Sequence, residues 1–111
     1  MCNHKVLAHN RNGYVIRCAG CKHFQVAFGT TVLCLSQSQY NDLALHMRDQ
    51  FSLYKYDEKD MRKIIHLPTY CEHAFMVLNV KELKRFLVLV NEADMMMEVQ
   101  SLLINKGLSF N

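Results

Sequence analysis

The sequence predicts an α+β protein: an antiparallel sheet of four to six strands with two or three helices on one face, arranged as two strand-strand-helix units. Three observations carry that prediction. In the first 35 positions the apolar residues fall in short runs rich in β-branched and aromatic side chains, separated by Asn, Gly and Thr. From Gln39 and again from Val80, apolar residues recur at helical spacing instead. Between those stretches lies a second pair of short apolar runs, so the order strand, strand, helix occurs twice.

Val6 to Ala8 and Tyr14 to Arg17 are the first two strands, joined by Asn10-Arg11-Asn12-Gly13. Asn-Gly before a strand signals a tight hairpin, because both residues tolerate positive φ. A hairpin over His4 to Cys18 brings the start of one strand beside the end of the other. After Cys18-Ala19-Gly20-Cys21, Phe24 to Phe28 and Thr31 to Leu35 read as two further strands around Gly29-Thr30. Ser36 or Ser38 caps a helix over Gln39 to Leu53, whose inward face is Tyr40, Leu43, Ala44, Met47 and Phe51. Tyr56 to Asp60 is a charged connector. Arg62 to Leu67, closed by Pro68, and Ala74 to Leu78 form the next strand pair, and Asn79 caps the helical region Val80 to Lys106. That region reads either as one helix or as two broken at Asn91-Glu92-Ala93-Asp94, with Asn91 as the second cap. Laying Leu33-Cys34-Leu35-Ser36 over Val77-Leu78-Asn79 suggests a duplicated unit, although any strand-to-helix junction shows that pattern.

Composition narrows the function classes. The 111 residues suit one domain, 1–111, divided into hairpins and knuckle at 1–35 and helix, strands and C-terminal helical region at 36–111. Half the residues are hydrophobic, enough for a packed core, yet no apolar run reaches the length of a membrane span. The first residues show no secretory signal, so the expected setting is the cytoplasm. Five cysteines without an export signal read as thiols or metal ligands rather than a disulfide framework. The net charge of +3 is small, but no acidic residue precedes Asp42, while Lys5, Arg11, Arg17 and Lys22 surround the first cysteines. Those cations either face a phosphate or offset the negative charge of a thiolate site. No Gly-rich phosphate loop and no Gly-x-Ser-x-Gly elbow is present.

The constellation with the most chemistry is Cys2, His4, Cys18 and Cys21. Zinc takes four thiolate or imidazole ligands in a tetrahedron, and Cys-x-x-Cys supplies two because a tight turn brings both sulfurs to one side. Cys2 and His4, two apart, share a face of an extended strand. His23 or Cys34 is an alternative for a terminal ligand, and Cys71 and His73 form a second Cys-x-His. With four positions filled, zinc would be structural. The competing reading makes Cys18 and Cys21 a redox pair, but such pairs sit at a helix N-terminus, and here a strand follows. Surplus apolar residues between Val80 and Lys106, including Val88 and Met95-Met96-Met97, point to a protein partner or a homodimer. The expectation is therefore a binding protein rather than an enzyme, with a thiol enzyme as the alternative. Nucleic-acid binding through the basic N-terminal half is a third reading.

The run NGYVIRCAGCKHFQVAFGTT, Asn12 to Thr31, resembles the signature of a small bacterial family of about this length, classified only as a domain of unknown function. The resemblance extends through the first helix and more faintly along the whole chain. It implies one compact bacterial cytosolic domain and brings no activity, substrate or partner. Cys18, Cys21 and the Phe24 to Phe28 strand carry the match. The hairpin and knuckle are also similar to zinc ribbons, which have two knuckles where this chain has one regular one.

Overall fold

The computed structural model describes residues 3–107. Strands β1 (His4–Asn10), β2 (Gly13–Cys18), β3 (Phe24–Phe28) and β4 (Thr31–Leu35) form one antiparallel sheet in sequential order. Helix α1 (Gln37–Tyr54) follows, then a separate two-stranded ribbon of β5 (Ile65–Pro68) and β6 (Phe75–Leu78), then helix α2 (Val80–Asn105). The fold class is α+β. The six strands split four and two rather than joining one sheet.

The first hairpin forms where the sequence places it, by different turn chemistry. Asn10 pairs with Gly13, so Arg11 and Asn12 make the turn, and neither has positive φ. The Asn10 side chain accepts the Asn12 N–H at 2.8 Å, a local bond that stands in for the glycine turn. Gly13 is required for another reason. A Cβ there would lie 1.8 Å from the Ala27 carbonyl oxygen of β3. A register shift between Val6 and Ala8 lets the consecutive Leu7 and Ala8 both be buried, which strict alternation forbids. At the β3–β4 turn Gly29 supplies φ +60, and its N–H donates to the Asn12 carbonyl at 3.0 Å, tying the two hairpin ends together.

Both helices begin with a capping box. The Ser36 hydroxyl accepts the Gln39 N–H while the Gln39 side chain accepts the Ser36 N–H; Asn79 and Glu82 do the same for α2. α1 packs on α2, β4 and β5, and α2 packs on β1 and β2. Their inward faces meet the sheet in one core, where Phe24 stacks on Tyr40 with centroids 4.3 Å apart and Phe28 on Phe86 at 4.6 Å. α2 runs unbroken through Asn91-Glu92-Ala93-Asp94. The reason is tertiary: Asn91 Oδ1 accepts from Arg48 of α1, Ala93 is buried, and Asp94 accepts the Tyr40 hydroxyl at 2.9 Å. With those side chains committed to α1, nothing remains to cap a second helix. At about 39 Å, from 1.5 Å per residue, α2 is longer than the 29 and 24 Å shorter dimensions of the molecule.

Candidate metal centre

The hairpin register sets His4 opposite Cys18, and the chain then turns back on itself at Cys18-Ala19-Gly20-Cys21-Lys22. Four backbone bonds hold that turn. Cys18 N–H donates to the His23 carbonyl, Lys22 N–H to the Cys18 carbonyl and Ala19 N–H to the Asn3 carbonyl, each at 2.9 Å. The fourth is to sulfur: Cys21 N–H donates to Cys18 Sγ at 3.4 Å. A backbone N–H aimed at a sulfur favours its thiolate form, as a metal ligand requires. Lys22 completes the reversal in the left-handed region, φ 60, where a non-glycine residue is uncommon and is held by the surrounding bonds.

Cys18 is buried at 3% exposure, whereas Cys21 opens to the surface. His4, Cys18, Cys21, His23 and Cys34 all line one pocket of about 130 Å³. The hairpin thus brings His4 to the Cys-x-x-Cys turn, and both alternative ligands, His23 and Cys34, border the same space. The His23 ring Nδ1 lies 3.1 Å from the Cys21 carbonyl oxygen, which as a donor contact leaves Nε2 the basic nitrogen. Cys2 lies outside the described residues. Among the described residues, no three His, Cys, Asp or Glu side chains stand close enough to hold an ion together. Cys71 and His73 sit in the exposed β5–β6 connection, where His73 approaches Glu72 at 3.3 Å, and neither borders this pocket.

The N-terminal cations divide. Lys5, Arg17 and Lys22 line a second pocket of about 180 Å³ with Gln100 and Ile104 of α2, while Arg11 occupies the β1–β2 turn. Arg17 lies over the Phe24 ring at 5.5 Å and donates to Gln37 Oε1 at 3.3 Å. Two polar clamps were not apparent in the sequence, since each joins residues far apart along it. In one, Tyr40 and Arg48 of α1 share Asp94 of α2; burial and the neighbouring carboxylate push the Tyr40 phenol well above its ordinary value. In the other, the Tyr70 hydroxyl bonds Asp42, fastening the β5–β6 turn to α1; partial burial and that carboxylate raise the Tyr70 phenol too.

Fold and site together define a small α+β protein with a cysteine knuckle at the open end of an N-terminal hairpin. The chain belongs to DUF6686, a family of unknown function, which it matches over residues 1–111. No curated protein and no solved structure matches it. No helix of the described residues is long and apolar enough to cross a membrane.

Proposed function

We propose that this chain is a non-enzymatic protein of the bacterial cytoplasm that acts by binding another protein through α2, its N-terminal hairpin fastened by structural zinc on Cys2, His4, Cys18 and Cys21. The observation that carries the zinc reading is the Cys21 N–H directed at Cys18 Sγ with His4 in register opposite. The register sets His4 opposite Cys18, Cys21 borders the same pocket, and Cys2, two residues before His4 in the sequence, is the fourth donor of the proposal. Three thiolates and one Zn²⁺ carry a charge of about −1, which Lys5, Arg17 and Lys22 beside the knuckle offset. A closed four-ligand site has no open position for substrate, which supports a fastening role over a catalytic one.

The test is zinc content of tag-free protein, with one equivalent expected. Less than about a tenth of an equivalent would sink the zinc reading, since a structural site of ordinary affinity retains its metal through purification. Thiol titration separates the redox alternative. Zinc ligation predicts Cys18 and Cys21 thiols that react only after a chelator is added, whereas a redox pair reacts at once.

A further inference from the structure

The strand alternation that turns His4 and Cys18 toward one pocket turns their chain neighbours toward another. In the β1–β2 register His4 pairs with Cys18 and Lys5 with Arg17, so the two pairs face opposite sides of the sheet. Arg17 also lies opposite Phe24, whose ring stacks on Tyr40 of α1, which puts Lys5 and Arg17 on the helix-covered side. There they meet Lys22 of the knuckle and Gln100 and Ile104 of α2 around a pocket of about 180 Å³. No residue borders both this pocket and the cysteine pocket.

Among the described residues its walls hold three cations and no carboxylate. Like charges directly opposite on paired strands repel, so this gathering costs stability. Lys5 has an interaction of its own, whereas neither Arg17 nor Lys22 takes part in an ion pair among the described residues. Arg17 is half-buried, its Nε is shut off from solvent without a hydrogen-bond partner among those residues, and its Nη2 bond to the neutral Gln37 is long at 3.3 Å. Drawing a guanidinium inward without an anion is unfavourable, and a bound oxyanion reverses that. Neither neighbouring structure accounts for the charge. The C-terminal end of α2 carries about half a negative charge, and its last carbonyls, at Leu102, Leu103 and Ile104, already accept the Lys106 and Gly107 N–H groups. The zinc site proposed above carries about −1, less than Arg17 and Lys22 supply between them.

We propose that Arg17 and Lys22, with Lys5 beside them, bind the phosphate group of a small anionic ligand between the sheet and the last turns of α2. The pocket is several times the roughly 30 Å³ that one liquid water occupies, room enough for such a group. Arg11 stands at the other end of the hairpin, so the cations form a pocket and not a track along a polynucleotide backbone.

A titration of the full chain with inorganic phosphate at fixed ionic strength, followed by NMR with zinc measured in the same sample, tests this. Saturable shifts are expected at the Lys5, Arg17, Lys22 and Gln100 amides, with a dissociation constant of about 1 mM. Lys22→Gln should weaken binding about tenfold, and Arg17→Gln at least as much. Because Lys22 is exposed its variant keeps the fold, so it decides the matter even if the Arg17 variant unfolds. Arg11→Gln should leave binding unchanged. Absence of saturable shifts up to about 20 mM phosphate overturns the proposal. So does binding indifferent to Lys22→Gln, or weakened equally by Arg11→Gln. An oligothymidine of about 20 nucleotides that binds more tightly than phosphate and depends on Arg11 would assign the cations to nucleic acid and overturn it too. Phosphate binding by protein that holds no zinc would overturn the metal site alone, and zinc-loaded protein that ignores phosphate would overturn the anion site alone.

Discussion

Single atoms decide several positions. Gly13 has no room for a methyl group because the Ala27 carbonyl occupies that space, so Gly13→Ala must push β2 and β3 apart. It is expected to cost about 2–4 kcal/mol in denaturant unfolding, in the range of severe overpacking and strand disruption. Gly20 is the internal control. Its nearest neighbour to an added Cβ is Cys18 Sγ at 3.9 Å and its φ is not positive, so Gly20→Ala should change stability by less than about 0.5 kcal/mol. The Tyr40 hydroxyl is a third case. Its phenol is held neutral above the ordinary value of 10.0 by burial and by Asp94. A raised folded pKa gives stability that is present below the unfolded pKa and lost above it, because the unfolded chain then binds fewer protons. Stability should therefore fall as pH rises beyond about 10, and Tyr40→Phe should fall less steeply while losing about 1 kcal/mol at neutral pH.

At the scale of the element, much was legible because the signals are local. β3 and β4 have the bounds read from their β-branched and aromatic runs. Each helix starts at a residue whose side chain accepts a backbone N–H, Ser36 and Asn79. Replacing either by Ala should cost about 1 kcal/mol, and more at Asn79, which is 6% exposed, than at Ser36. Paired thermal melts read that difference. The continuity of α2 was not legible. Asn91, Glu92, Ala93 and Asp94 suit a helix interior as well as a break, and only Arg48 and Tyr40, on another helix, select between them. The β1–β2 turn has the same character. Asn-Gly marks the right place, yet Asn10 and not Gly13 supplies the turn chemistry.

Across the whole molecule, one core links the four-stranded sheet, the ribbon and both helices, whereas in the knuckle Cys18 is buried but Ala19 to Lys22 are exposed. Stripping zinc should therefore act locally first. Hydrogen exchange after chelation is expected to speed up at Cys18, Cys21 and Lys22 while Val15, Val26 and Phe86 stay protected. Uniform loss of protection would instead make the hairpin part of one cooperative unit with the core.

The sequence by itself determined the α+β class, the order of its elements, the Asn79 cap and the juxtaposition of His4 with the Cys18 turn, and it narrowed the first cap to Ser36 or Ser38. Each depends on residues within a strand, a turn or one hairpin of each other, where covalent connection limits the geometry. Only the tertiary structure decided that α2 is continuous, that Gly13 serves a close approach, and that Lys5, Arg17 and Lys22 gather while Arg11 stands apart. Those outcomes turn on contacts such as Tyr40 with Asp94, 54 residues apart, which no local pattern encodes.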